Sequence, residues 1–288
     1  MTNTPEVRGL YHEPTGTFSY VAWDPGTRAA AVIDPVLDYD GAAGRTDTAS
    51  AAALLAIVAR EGLDVRWVLE THAHADHLSA AAFVHERTGA PIGIGRGIVS
   101  VQATFSEIYN LGPKFPTDGR QFDRLFADGD RFAMGELEIA VLATPGHTSD
   151  SVTYLVGDAA FVGDTLFAPD YGTARCDFPG GDEATLFQSV HRLYALPART
   201  RLFLCHDYPP EDRAPRCEWS VAEQRDGNKH INAGTRQADF VAMRSARDKT
   251  LNMPELIIPA IQVNIRAGRL PEPDDNGTRY LRVPLDTL

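Results

Sequence analysis

The sequence predicts an α/β protein in which two mixed β-sheets lie face to face and helices cover their outer surfaces. Two observations lead to this fold class. Strands joined by helical crossovers occur in both halves of the chain, before residue 95 and after residue 183, and between residues 128 and 163 strand follows strand as in a meander. A doubly wound parallel sheet would alternate strand and helix throughout, so this order favours a pair of sheets.

The first half of the chain contains two units of strand, loop and helix. Strands are predicted at residues 18–23 (FSYVAW) and 29–36 (AAAVIDPV), separated by the turn-forming sequence Asp24-Pro25-Gly26. A helix is predicted over residues 47–61, capped by a Thr or Ser of the TDTAS sequence. The run VRWVL (65–69) indicates a buried strand, a helix follows at 77–88 and ends at Gly89, and the next strand is expected at 91–95.

The second half begins with the meander, whose turns are predicted at residues 128–130, 134–135 and 157–158. A helix over 183–196 and a strand over 201–204 follow. No composition break separates these segments, so we expect one domain over residues 1–288. Within it, residues 216–288 are predicted to form a C-terminal helical extension packed on the rest.

Composition restricts the classes of function. The chain is 43% hydrophobic and 23% charged, as expected of a globular protein, and its net charge of −12 disfavours nucleic acid and anionic membranes as partners. The first 20 residues lack the features of a secretory signal, and no run of about 20 apolar residues predicts a membrane span. Three cysteines, Cys176, Cys205 and Cys217, are too few for a disulfide framework. We therefore expect a soluble cytoplasmic protein.

The most informative motif is THAHADH (residues 71–77), which directly follows the predicted strand VRWVL. It holds three of the nine histidines of the chain, His72, His74 and His77, together with Asp76. Imidazole and carboxylate are the ligand types of zinc and of non-haem iron. A loop at a strand end can direct several such side chains toward one point, so the motif predicts a metal site.

Three further potential ligands also follow strands. His147 lies in TPGHT (144–148), Asp164 ends FVGD (161–164), and His206 lies in LCHD (204–207). Each alone is more typical of a turn or a structural residue, but with the first motif they form a consistent ligand set. Their spacing permits either one metal ion or two.

This ordered set, HxHxDH, Pro-Gly-His, Gly-Asp and a final His, resembles the metallo-β-lactamase superfamily. The resemblance implies an αβ/βα sandwich of two mixed sheets flanked by helices, in agreement with the predicted elements. Two branches of the superfamily fit this chain poorly. The β-lactamases are secreted, and the nucleases carry an additional domain. Two branches that handle glutathione remain, which are glyoxalase II and the persulfide dioxygenases.

The segment YGTARCDF (171–178) distinguishes these two branches. It resembles the Gly-x-x-Arg-x-Asp-Phe pattern of persulfide dioxygenases, whereas glyoxalase II carries a Lys-Phe-Phe-Glu-Gly type of segment there. The sequences HDY (206–208), SVAEQR (220–225) and QVNIRAG (262–268) are similar to the same dioxygenase family. The resemblance therefore extends over nearly the whole chain.

The resemblance implies a non-haem iron oxidoreductase of sulfur metabolism and sulfide detoxification. It assigns one Fe(II) per chain to His72, His147 and Asp164, a 2-His-1-carboxylate set that leaves positions open for both substrates. Those substrates are glutathione persulfide and O2, and the products are sulfite and glutathione. A homodimer is the assembly that the family suggests. The residues expected to surround and orient the ligands are His74, Asp76, His77, His206 and Asp207.

Arg175 is the predicted contact to glutathione, because a guanidinium suits a ligand with two carboxylates. An ion pair with Asp177 is the alternative role for this arginine. Further predicted contacts are Tyr171, Arg213, Arg216 and Trp219. Strand alternation places Cys176 and Cys205 on the face away from the site.

Three alternatives stay open. A hydroxyacylglutathione thioester hydrolase of glyoxalase II type would use a dinuclear metal site built from the same residues. A metal or persulfide sensor would use the fold without catalysis. Coenzyme A persulfide and other thiol persulfides are alternative substrates of a dioxygenase.

Overall fold

The computed structural model describes residues 4–287. The first part of the described chain contains nine strands, which are β1 (Glu6–His12), β2 (Thr17–Trp23), β3 (Ala29–Ile33), β4 (Val36–Asp40), β5 (Arg45–Asp47), β6 (Asp64–Leu69), β7 (Leu78–Ser79), β8 (Ile92–Gly95) and β9 (Arg124–Phe126). Six strands follow in the second part, which are β10 (Arg131–Met134), β11 (Leu137–Ala143), β12 (Val152–Val156), β13 (Ala159–Phe161), β14 (Arg201–Phe203) and β15 (Glu218–Ser220).

Seven α-helices are found within the same residues. They are α1 (Ala49–Arg60), α2 (Ala81–Thr88), α3 (Ile98–Ile108), α4 (Glu183–Tyr194), α5 (Val221–Gly227), α6 (Gln237–Asp248) and α7 (Ile257–Asn264). A single 3-10 turn, Gly163–Thr165, follows β13.

Two six-stranded mixed sheets form the centre of the protein. The first has the order β1-β2-β3-β6-β8-β9, antiparallel from β1 to β3 and parallel from β3 to β9. The second has the order β10-β11-β12-β13-β14-β15 and is antiparallel except where β13 pairs with β14. A small sheet, β5-β4-β7, lies beside them.

Alternation along the strands produces four layers. In β2, Tyr20 and Ala22 pack into a core shared with the second sheet, whereas Val21 and Trp23 face a core shared with helices. That outer core includes residues of α1, α2, α3 and α7. On the far side, α4, α5 and α6 cover the second sheet. The predicted αβ/βα sandwich is therefore confirmed.

Several element boundaries differ from the expectations. The strand predicted over 29–36 divides into β3 and β4 at Asp34, whose φ of +48° turns the backbone. The helix predicted from residue 77 begins at Ala81, because residues 72–77 form a loop and Leu78–Ser79 pairs with β4. Helix α3 was not predicted, because several β-branched residues lower its helical propensity. Its buried residues Ile98, Val101 and Phe105 nevertheless follow helical spacing.

The stretch from residue 216 begins with β15, which pairs with β14 and extends the second sheet. It is thus not wholly helical, and α7 packs against the core of the first sheet. The division into one domain with a C-terminal extension stays a prediction. No helix of the described residues is long and apolar enough to cross a membrane.

Candidate metal centre

The candidate ligands lie at the ends of four strands. The loop 72–77 follows β6, His147 follows β11, Asp164 follows β13 and His206 follows β14. Strands β11, β13 and β14 run in the same direction, because β12 is antiparallel to both of its neighbours and β13 is parallel to β14. Their carboxyl ends therefore share one sheet edge, which brings these side chains near the loop from the first sheet.

His72, His147 and Asp164 form one group of potential ligands. Their nearest ligand atoms all lie within 4.8 Å of one another, and all three side chains are buried. Oδ2 of Asp164 is 3.8 Å from Nε2 of His72 and 3.6 Å from Nε2 of His147. The structure thus brings together the three residues predicted to hold iron.

His72 is oriented by the residue before it. The Thr71 hydroxyl donates to Oδ2 of Asp34 at 2.9 Å, so its oxygen is free to accept from Nδ1 of His72 at 3.1 Å. This leaves the Nε2 lone pair of His72 facing the site. Gly163 permits the close approach, since a Cβ there would lie 2.7 Å from the Thr71 hydroxyl oxygen.

His147 is oriented by the segment 172–178. Its Nδ1 donates to the backbone carbonyl of Arg175 at 2.7 Å, so Nε2 carries the lone pair. The Phe178 ring packs at 5.6 Å from the His147 ring. Gly146, with φ of +134°, allows the turn to lie against α4, where a Cβ would be 2.3 Å from the Leu186 nitrogen. Two contacts therefore fix this imidazole.

A second group of potential ligands shares Asp164. It consists of Asp76, Asp164 and His206, with Nε2 of His206 at 3.1 Å from Oδ2 of Asp76 and 3.4 Å from Oδ1 of Asp164. His77 lies beside it, with its ring centroid 5.8 Å from that of His206. The two carboxylate oxygens of Asp164 therefore face the two groups.

His74 is held differently from the other histidines. Its Nε2 lies 3.1 Å from Oδ1 of Asp34 and 3.5 Å from Oε2 of Glu70, and all three side chains are buried. Glu70 in turn accepts from the Ser79 hydroxyl. The ring of His74 is thereby clamped between two carboxylates, and only its Nδ1 remains for another partner.

Buried atoms that make no hydrogen bond of suitable geometry, although some lie close together, show that this site suits a cation. Among the described residues they include Nε2 of His72, His77 and His206, Oδ1 of Asp164 and Oδ2 of Asp76. Leaving a buried polar group unsatisfied costs about 1–3 kcal/mol, and a metal ion would satisfy several of them. Burial, reinforced by neighbouring histidines, holds the pKa of His72 and of His77 well below the usual value. Neutral imidazole is the form that binds metal.

A cavity of about 750 Å³ opens over this site. Its inner end is lined by Asp76, His77, His147 and Asp164. Aromatic side chains also line it, of which Tyr171 and Tyr208 have ring centroids 4.9 Å apart. The volume is in the range of small-molecule sites, about 300–1,000 Å³.

The predicted glutathione contacts divide into two sets. Arg175 and Tyr171 line the cavity. Arg213, Arg216 and Trp219 are not among its lining residues, and their contact to glutathione stays a prediction. The guanidinium of Arg216 stacks 3.7 Å from the Trp219 ring centre, and Arg213 binds Asp170. These side chains are thus occupied with one another and with nearby acids.

Asp207 is also placed differently from the prediction. Both of its carboxylate oxygens accept from the guanidinium of Arg213, each at 2.7 Å, and Oδ2 also accepts from the Arg216 nitrogen, whereas none of the metal-ligand side chains is among its partners in the described residues. Cys205, expected to point away, has its thiol in a group with His74, His77 and His206. Strand β14 ends at Phe203 and Cys205 lies at a bend beyond it, so strict alternation of side chains does not apply there.

Three residues of the site were missed by the sequence analysis. Asp34 lies in the strand predicted over 29–36 and has no predicted role at the site, but its carboxylate accepts from Thr71 and contacts His74. The Tyr208 ring stacks on His206 with 5.6 Å between centroids. Asn264 of α7 donates to the backbone of the loop 72–77. A polar residue within an apolar segment was the available signal for Asp34 and Asn264.

Comparisons with known proteins agree with this geometry. Residues 12–206 match the sequence model of the family described as "Metallo-beta-lactamase superfamily". A relative named as a probable metallo-hydrolase, from Burkholderia pseudomallei, is 53% identical over 98% of this chain and 99% of its own length. Glyoxylase B2 of Dictyostelium discoideum is 45% identical over 100% of this chain and 99% of its own.

Proteins named ETHE1 are more distant relatives. Persulfide dioxygenase ETHE1, mitochondrial, of Homo sapiens is 29% identical over 91% of this chain and 88% of its own. The crystal structure of ETHE1 from Myxococcus xanthus, 30% identical, matches 92% of this chain and 100% of that chain with a TM-score of 0.73.

Proposed function

The chain belongs to the metallo-beta-lactamase superfamily, and we propose that it is a persulfide dioxygenase that oxidises glutathione persulfide with O2 and one water at one Fe(II), giving sulfite, glutathione and two protons. The proposal specifies an activity that the names of the nearer relatives do not state, because those names describe a hydrolase or a glyoxylase. Its support comes from the surroundings of His147, from the state of His74, and from the similarity to proteins named ETHE1.

The observation that carries the proposal is the contact between residues 172–178 and His147. This segment is the one whose sequence resembles dioxygenases and differs from glyoxalase II. Its Arg175 carbonyl accepts from His147 Nδ1 at 2.7 Å, and its Phe178 ring packs on the same imidazole. The sequence difference between the two branches therefore lies against a proposed iron ligand.

The state of His74 supports a set of two imidazoles and one carboxylate for the proposed iron. A metal bound by His72, His147 and Asp164 would gain a third imidazole if His74 turned to it. Its Nε2 is instead directed to Asp34 and Glu70, and His74 does not belong to the group of His72, His147 and Asp164. Two imidazoles and one carboxylate leave positions open on an octahedral ion, as non-haem iron oxygenases require.

Bound Fe(II) would supply the redox chemistry that activates O2, which zinc lacks. The protein's own part is to bind and orient. His147 keeps a proton on Nδ1 through the Arg175 carbonyl, and His72 keeps one on Nδ1 through Thr71. Both Nε2 lone pairs thus face one point beside Asp164.

A hydroxyacylglutathione thioester hydrolase with two metal ions is the second candidate. It is favoured by the group of Asp76, Asp164 and His206 and by the buried Nε2 atoms of His77 and His206 that lack partners. In this case Asp164 would bridge two ions.

Metal content and substrate oxidation together test the proposal. Protein expressed with supplemented iron should contain one iron per chain and should consume O2 with glutathione persulfide, releasing sulfite in proportion. A hydroxyacylglutathione thioester provides the comparison substrate. Two metal ions per chain, thioester hydrolysis and no O2 uptake would overturn the dioxygenase and favour the second candidate.

A further inference from the structure

The cavity wall contains four arginines, and two of them already have partners within the protein. Arg175 donates to both oxygens of Asp177 at 2.6 and 2.7 Å and to the carbonyl of Asn252 at 2.6 Å. Arg244 is buried and donates to Asp248 at 2.8 Å and to the carbonyl of Thr173 at 3.1 Å. Their charges are therefore largely neutralised without a ligand.

The other two arginines are available. Arg45 begins β5 and is exposed, and Arg247 lies in α6 and is half-buried; both line the cavity. Within residues 4–287, neither guanidinium has a carboxylate oxygen within 4.0 Å. A guanidinium presents a planar fork of N–H donors that matches a carboxylate, so two unpaired guanidinium groups lining one cavity are suited to a ligand with carboxylates.

We propose that Arg45 and Arg247 bind the two carboxylates of the glutathionyl group, and that Arg175 serves the protein and not the substrate. This inference rests on the proposed function, because the thiol end must lie at the metal site. A tripeptide in extended form spans roughly 10 Å, so its two terminal carboxylates lie away from the sulfur. Arg45 is exposed and Arg247 is half-buried, as suits carboxylate ends, whereas His72, His147 and Asp164 are buried, as suits the sulfur.

The acidic residues of the cavity indicate that its ligand carries a positive charge as well as negative ones. Asp38, Asp40 and Asp47 of the hairpin formed by β4 and β5 line the cavity, and so does Glu255 between α6 and α7. Glu255 has no cationic side chain within 4.0 Å among the described residues and suits the glutamyl ammonium. Four carboxylates oppose the phosphates of coenzyme A, because like charges repel. The wall therefore favours glutathione persulfide over coenzyme A persulfide.

Binding of reduced glutathione in the absence of O2 tests the inference without turnover. Calorimetry on the iron-loaded protein should show that Arg247→Ala and Arg45→Ala each weaken glutathione binding by about 10- to 150-fold, the loss expected for one charge-assisted contact. Arg247→Lys should recover only part, since an ammonium lacks the fork. Arg199→Ala is the matched control, because Arg199 is exposed and lies outside the cavity lining.

Glutathione with an amidated glycyl carboxylate identifies the partner of each arginine. Wild type should bind this ligand more weakly than glutathione. Replacing the arginine that holds the glycyl carboxylate by alanine should then weaken binding of the amidated ligand no further. Steady-state assays should show a raised KM for glutathione persulfide with kcat and iron content little changed. The kcat/KM of the wild type should be lower for coenzyme A persulfide.

Three results would overturn the inference. These are unchanged glutathione binding in both alanine variants, an equal loss in Arg199→Ala, or tighter binding of coenzyme A than of glutathione by the wild type. A different failure belongs to the proposed function. If glutathione binds through both arginines but no O2 is consumed with the persulfide, the dioxygenase fails and the carboxylate site stands.

Discussion

The side-chain amide of Asn264 donates a hydrogen bond of 2.8 Å to the backbone carbonyl of His74, a residue 190 positions earlier in the chain. The same Nδ2 donates to the carbonyl of His77 at 2.8 Å, and Oδ1 accepts from the Ser79 nitrogen at 2.8 Å. One buried residue of α7 thus bonds to both ends of the segment 74–77 of the metal-ligand loop.

Replacing Asn264 should loosen that loop. Asn264→Ala leaves two buried carbonyls and one amide without partners, which costs about 1–3 kcal/mol for each unsatisfied group. We expect a lower melting temperature and metal affinity reduced by about 10- to 100-fold, as for other residues that support metal ligands. Competition with a chelator and thermal unfolding measure the two effects.

Asn264→Asp tests whether the hydrogen bonds of this side chain, and not its volume, hold the loop. It retains the acceptor for Ser79 but presents a carboxylate oxygen to the carbonyls of His74 and His77, so it should be at least as damaging as alanine. Asn276→Ala is the control, because Asn276 is exposed and its side chain bonds to Tyr280 and the Thr278 nitrogen and not to the metal-ligand loop. Metal affinity equal to wild type in both Asn264 variants would contradict a role in holding the loop.

The sequence predicted the layers of the fold and the strand ends at which potential ligands lie. Those predictions depend on short patterns, such as the apolar run before THAHADH and the Gly-Asp after FV, which report local structure directly. Strands β3, β6 and β14 begin or end close to their predicted bounds for the same reason. Such patterns require no knowledge of distant contacts.

The residues that position the ligands could not be found in this way. Asp34, Asn264 and Arg175 act on histidines 28 to 190 positions away, so their partners depend on the packing of sheets and helices. The direction of the Cys205 side chain depends on a bend at the end of β14. Whether an arginine remains unpaired likewise depends on which acidic residues the fold places beside it.

Removal of single ligands should distinguish one metal ion from two. If iron is bound by His72, His147 and Asp164 alone, His147→Ala and Asp164→Ala should lose metal and O2 uptake together. His206→Ala should retain most iron and lower turnover by about 10- to 100-fold, since it removes a supporting group. Elemental analysis beside oxygen-electrode assays measures both. A wild type with two ions, one of which is lost in His206→Ala, would favour the hydrolase.

Arg175→Ala should act through His147 and not through substrate. The ion pair with Asp177 fixes the segment whose carbonyl holds His147 Nδ1. Arg175→Ala and Asp177→Asn should therefore lower iron affinity to a similar extent. The double variant should be little worse than either single one, because residues of one network are not additive. Chelator competition gives the affinities. A raised KM with unchanged iron affinity in Arg175→Ala alone would return this arginine to substrate binding.

His230 should make the stability of the protein depend on pH. Its Nδ1 accepts from the Thr173 nitrogen at 3.0 Å, which requires the unprotonated ring. Burial is the main cause that lowers the pKa of His230 from an ordinary value of 6.5 to about 4, and the positive charges of Arg244, Arg247 and Lys229 lower it further.

Because the folded state resists this proton and the unfolded state accepts it, the free energy of unfolding is highest above pH 6.5 and falls as the pH drops from 6.5 toward about 4. His230→Gln offers an amide oxygen to Thr173 but does not titrate. Thermal unfolding of both proteins in the same metal state, at about pH 7 and about pH 5, should show a larger drop in melting temperature for wild type. Equal drops would mean that His230 binds protons alike in the folded and unfolded states.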